Sequence, residues 1–91
     1  MNKDQIFREK ILNFPFNSFY VQYNSHTYLV TKHGYAHNKI IKIYAKQLCG
    51  NDVVSGNYFT TIAKGLLKPC EMSDKKVIDF VLHCQLKEDH A

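Results

Sequence analysis

The spacing of apolar positions changes period several times along this chain, and each change predicts a new element. Over residues 3–14, Ile6, Phe7, Ile11 and Phe14 fall within about 140° of a helical wheel turning roughly 100° per residue, which predicts an amphipathic helix. Lys10 intrudes on that apolar arc and Leu12 lies outside it. Phe14 precedes Pro15, and the residue before proline is driven out of the α region, so the helix ends there. From Ser18 to Tyr23 the period becomes two, with Phe19, Val21 and Tyr23 alternating against Tyr20 and Gln22. Asn24-Ser25 supplies turn chemistry and Thr27–Thr31 resumes β-rich composition, so residues 18–31 predict a hairpin. Lys32-His33-Gly34 then opens a loop.

Residues 39–48 (KIIKIYAKQL) fit two periods. A strand places Ile41, Ile43 and Ala45 on one face and Ile40, Lys42, Tyr44 and Lys46 on the other. A helix gathers Ile40, Ile41, Tyr44, Ala45 and Leu48 against Lys39, Lys42 and Lys46, with Gly50 as its stop. Three isoleucines and a tyrosine within five positions favour the strand, because β-branched side chains are stiff in a helix. Gly50-Asn51-Asp52 is a turn. Val53–Ile62 is rich in β-formers, with Gly56 marking a bulge or a close backbone approach. Lys64-Gly65 turns the chain, Leu66-Leu67 pairs briefly with a sheet edge, and Pro69 closes it.

The last element carries the fullest set of signals. Ser73 is an N-cap, Asp74 sits at the positive helix end, and Met72 can staple onto Val77, so a helix is expected over 73–86. Its apolar arc holds Val77, Ile78, Phe80, Val81, Leu82 and Cys84. The tail, Lys87 to Ala91, should fray. Together these elements predict an α+β domain in the order α-β-β-β-β-α. Its four-stranded, mainly antiparallel sheet would be covered on one face by both helices.

Composition narrows the class. Ninety-one residues, 45% of them hydrophobic, suffice for one core and one domain. Uninterrupted apolar stretches reach two or three residues, such as Phe80-Val81-Leu82, far below the ~20 that span a bilayer, so no membrane crossing is expected. Met1–Gln5 leads into a mixed polar segment rather than an apolar signal core. Cys49, Cys70 and Cys84 are odd in number and far apart, which suits free thiols in a reducing compartment, hence the cytoplasm. Twelve Lys and Arg against eight Asp and Glu give a formal charge of +4 and favour acidic partners. Arg8 is the single arginine, which argues against sequence-specific base reading, because lysine lacks the planar fork.

Chemistry-bearing motifs are sparse. His33 and His37 stand four apart, a spacing that chelates metal if the loop makes a helical turn. Gly34 between them and the lack of companion ligands predict solvated loop histidines and no metal. Cys70 lies three residues before the last helix, where a thiol can be activated, but no local base accompanies it. Gly34, Gly50, Gly56 and Gly65 are too scattered to cradle phosphates, so no nucleotide cofactor is expected. Residues 41–62 superficially match a helix-turn-helix, yet Gly50 comes one place late and the expected second helix is β-rich.

What remains is a basic and aromatic surface: Lys39, Lys42, Tyr44 and Lys46, joined by Tyr20 or Tyr28 from the hairpin. Such surfaces dock proteins through tyrosine or nucleic acid through stacking and phosphate contacts. The expected function is a small non-enzymatic interaction domain that binds a partner protein. A basic nucleic-acid-binding regulator is the alternative, and a small enzyme with a Cys/His site comes third.

Overall fold

A computed structural model describes residues 2–61 and 65–87. The chain begins with α1 (Lys3–Asn13), followed by the strands β1 (Asn17–Tyr23), β2 (His26–Tyr35), β3 (Ile40–Gln47), β4 (Val53–Phe59) and β5 (Leu66–Pro69). It then forms α2 (Asp74–His83) and a two-residue strand β6 (Gln85–Leu86). The strands make one antiparallel sheet in the order β5-β4-β3-β2-β1-β6. The fold is α+β, with both helices on one face of the sheet. Phe7 of α1 packs edge-on against Tyr58 of β4, and Phe80 of α2 packs against Tyr23 and Tyr28 of the hairpin.

The N-terminal helix starts with a capping box. Asn2 accepts the Gln5 N–H at 2.9 Å while the Gln5 side chain accepts the Asn2 N–H at 3.1 Å. It ends at Phe14, ahead of Pro15, as the sequence requires. Phe7, Ile11 and Phe14 are buried, whereas Ile6, placed on the apolar arc by periodicity, is 37% exposed, so the buried stripe is narrower than expected. Lys10 explains its own intrusion into that stripe. Its ammonium donates to the Leu82 and Cys84 carbonyls at 3.2 and 2.8 Å, satisfying acceptors that the end of α2 leaves open.

The hairpin turns through Asn24 and Ser25, both left-handed (φ 51° and 65°), the two-residue turn whose twist matches paired strands. β2 then continues through Lys32, His33, Gly34 and Tyr35, which correct the expected loop. The actual turn is Ala36-His37-Asn38, three left-handed residues in succession. Lys32 extends the strand because its ammonium is wanted inside: at 1% exposure it donates to the Leu12 and Phe14 carbonyls, both at 2.8 Å, and lies 4.4 Å from the Phe16 ring centroid. A lysine thus closes the C-terminal end of each helix.

β3 settles the ambiguous segment as a strand. Ile41, Ile43 and Ala45 are buried while Lys42, Tyr44 and Lys46 are exposed, the alternation expected of a sheet with one solvated face. The helix-turn-helix pattern is therefore filled by β3, a turn and β4 over its described residues. β4 ends at Phe59, short of the expected Ile62, which lies outside the described residues with Lys64 of the expected turn. Gly56 marks a close approach rather than a bulge. It pairs in register with Pro69, and a Cβ there would stand 3.3 Å from the Lys68 carbonyl oxygen. Leu66–Pro69 pairs with β4 as an edge strand.

The last helix is capped by Ser73, which accepts the Lys76 N–H at 3.2 Å, and Met72 packs against the core. It stops at His83 rather than residue 86. Cys84 takes up extended geometry, and Gln85-Leu86 pairs with Gln22 and Val21 as β6. Six strands replace the four expected, since two short edge strands carry too few residues to show a period. Of the tail expected to fray, residues 88–91 lie outside the described residues.

Candidate functional site

The helices cover one face of the sheet and leave the other open. Cross-strand register brings that face together in rows. Lys42 stands between His33 of β2 and Asn57 of β4, and Asn57 is opposite Lys68 of β5. Tyr44 stands between Thr31 and Ser55. Lys46 stands between Leu29 and Val53, with Tyr20 opposite Leu29 on β1. Alternate residues of a strand are about 7 Å apart, so Lys42 and Lys46 flank Tyr44 along one line. Tyr20 and Tyr44 are 44% and 42% exposed.

Of the residues singled out in the sequence, Lys42, Tyr44 and Lys46 share this face. Lys39 does not join the ladder. It sits in the turn before β3, where its N–H donates to the Ala36 carbonyl and its own carbonyl accepts the Thr60 N–H at 2.9 Å. Tyr20 belongs to the face and Tyr28 does not: Tyr28 is 3% exposed on the helix side and donates to Asp52 Oδ2 at 2.7 Å. His33 and Lys68 were missed, because cross-strand register decides their places and sequence spacing does not show it.

The electrostatics of the face come from what is missing. No strand position carries Asp or Glu, and between Glu9 and Glu71 the sole carboxylate is Asp52. Asp52 turns to the helix side, where Lys76 of α2 donates to it at 2.6 Å. That contact and the Tyr28 hydroxyl hold its carboxyl below the usual carboxylate range. Asp79 of α2 accepts the Tyr23 hydroxyl and pairs with His83 at 3.1 Å. It too is held low, chiefly by the Tyr23 hydrogen bond. The Tyr23 phenol is pushed up to about 12, first by burial and then by Asp79. Both ion pairs recorded among the described residues therefore involve α2, and Lys42, Lys46 and Lys68 have no carboxylate partner there. The long acid-free run was legible in the sequence and is the signal that could have identified this face.

The other motifs are dispersed. His33 lies on the open face and His37 in the left-handed turn, and no group of three or more metal-binding side chains occurs among the described residues. All three cysteines are free thiols. Cys70 sits in the bend after β5, its N–H on the Ser55 carbonyl at 3.1 Å. The cysteine that shares a hollow with a histidine is instead Cys49, beside His26 and Lys87 between two turns. No helix among the described residues is long and apolar enough to cross a membrane. Comparison with known protein families, curated proteins and solved structures finds no match to this chain.

Proposed function

We propose that this protein is a non-enzymatic interaction domain whose working surface is the open face of its sheet. One observation carries this: Lys42, Tyr44 and Lys46 project as a ladder on a face whose strands bear no carboxylate, while the opposite side of β1 to β5 contributes to the core beneath two helices. An unneutralised basic face attracts an acidic macromolecule, and exposed tyrosines provide rigid contact area at low entropic cost. An acidic binding partner fits both properties. The three free thiols suit a reducing compartment such as the cytoplasm.

The test compares the wild-type chain with a Lys42→Glu/Lys46→Glu variant as baits in native lysate, with and without nuclease. Amine-reactive footprinting of the captured complex follows. A partner lost by the variant, together with protection of Lys42 and Lys46 but not of Lys75 on α2, supports the open face. A partner that the variant retains, or protection confined to α2, refutes it.

A further inference from the structure

We infer that the open face accepts single-stranded nucleic acid, its phosphates on Lys42, Lys46 and Lys68 and its bases stacked on Tyr44 and Tyr20. This rests on the open face being the working surface and specifies the chemistry of its occupant.

Three observations favour a nucleic-acid strand over an acidic protein. The first is the distribution of charge. Lys68 and Lys42 lie in one cross-strand row with Asn57 between them, and Lys46 is four residues along β3 from Lys42, so the cations stand on two strands, β3 and β5, on either side of β4 rather than clustering in one pocket. A spread of ammonium groups suits a backbone with a charge on every residue, and lysine meets phosphate as a point charge without needing a fork.

The second is the position of the aromatics. Tyr44 lies between Lys42 and Lys46 on β3, and Tyr20 lies two strands away beside Leu29, in the row that contains Lys46. Two strand spacings are about 10 Å, so a strand of nucleic acid crossing the sheet meets both rings. Aromatic rings on an open antiparallel sheet stack unpaired bases of any sequence, and a duplex keeps those base faces covered.

The third is the surrounding polarity. Thr31 stands beside Tyr44, Asn57 between Lys42 and Lys68, and exposed Ser18 at the end of the Tyr44 row, supplying neutral hydrogen-bonding groups to sugars and base edges, while Leu29 separates Tyr20 from Lys46. The single arginine, Arg8, is engaged on the helix side, donating to the Tyr58 hydroxyl at 3.1 Å. Preference among base sequences is accordingly weak.

The experiment is fluorescence anisotropy of the full chain with labelled single strands of ~12 nucleotides, both DNA and RNA, and with a duplex of equal length. Salt is varied from about 50 to 200 mM. Three neutralised phosphates give a log–log salt slope of roughly −2 for a single strand, a loss on the order of twentyfold over that range. In Lys42→Gln/Lys46→Gln the slope falls to about −0.7. Tyr44→Ala weakens single-strand binding about tenfold and Tyr44→Phe restores it. Lys75→Gln changes nothing, and the thermal midpoint of each variant verifies that it is folded. Absence of binding at low salt, duplex bound as tightly as single strand, or Tyr44→Ala binding like wild type would each overturn the inference. If oligonucleotides fail while a nuclease-insensitive partner still depends on Lys42 and Lys46, the open face stands and its occupant is an acidic protein. Failure of both removes the face as well.

Discussion

Lys32 is a charged side chain in a position the sequence assigned to a loop. Its ammonium closes two backbone carbonyls at the end of α1, and burial pushes its pKa down, yet no carboxylate is needed because the donors meet helix-end acceptors. Lys32→Met keeps the apolar stem and leaves both carbonyls without that donor. The expected cost is about 1–3 kcal/mol, read as a lower denaturation midpoint, and an unchanged midpoint would show the cap to be dispensable. Asp52 and Asp79 give a second residue-scale expectation. Both carboxyls titrate below their ordinary value in the folded chain, so the unfolded chain takes up protons first as pH falls. Their contribution is complete above about pH 4 and is lost as pH drops through the folded values. The fall in thermal midpoint between about pH 7 and pH 3 should therefore be smaller in Asp52→Asn than in the wild type. These roles were hidden from the sequence because each joins residues far apart in the chain: Lys32 to Leu12, Tyr28 to Asp52, Tyr23 to Asp79.

Elements were more legible than individual contacts, because a period is a local property. β3 is the clearest case. Charge segregation suited a helix and β-branching a strand, and the sheet decides for the strand because a helix there would leave Ile43 and Ala45 without the partners they meet on β2 and β4. α2 was legible at its start, where Ser73 and Asp74 act within one turn, and not at its end. No glycine or proline marks Cys84, and the helix stops because Lys10 caps it and β1 offers Gln85 and Leu86 an edge. Val81 is fully buried in the core that α2 shares with the sheet. Val81→Ala is expected to cost on the order of 1–3 kcal/mol, and chemical denaturation monitored by circular dichroism measures it. A midpoint equal to wild type would make α2 peripheral.

For the molecule as a whole, the division of charge between two faces follows from the order of elements. Carboxylates of the described residues lie in the helices or in the segments leading into β4 and α2, and the one within the meander, Asp52, is drawn to α2. The open face therefore carries little of the fold's stability. Lys42→Glu/Lys46→Glu should unfold within about 0.5 kcal/mol of wild type, as exposed substitutions away from caps and core do. A larger loss in equilibrium unfolding would mean that the ladder is structural. Lys42, Tyr44 and Lys46 of the candidate site were readable as alternation in residues 39–48, and Tyr20 as alternation in the hairpin. The places of His33 and Lys68 depended on a register that only the assembled sheet supplies.

The shortness of the outermost strands bears on where a further strand could add to the sheet. A long, flat outer strand is a template on which another chain can polymerise through its backbone. Here one margin of the sheet is four residues ending in Pro69, which has no N–H to offer, and the other is only two residues laid over Val21 and Gln22. β6 and the Lys87 N–H cover β1 from Tyr20 to Gln22, and no described residue pairs with Asn17–Phe19 on that side. Among the described residues, the margin open to another chain is therefore the first half of β1 rather than either outermost strand.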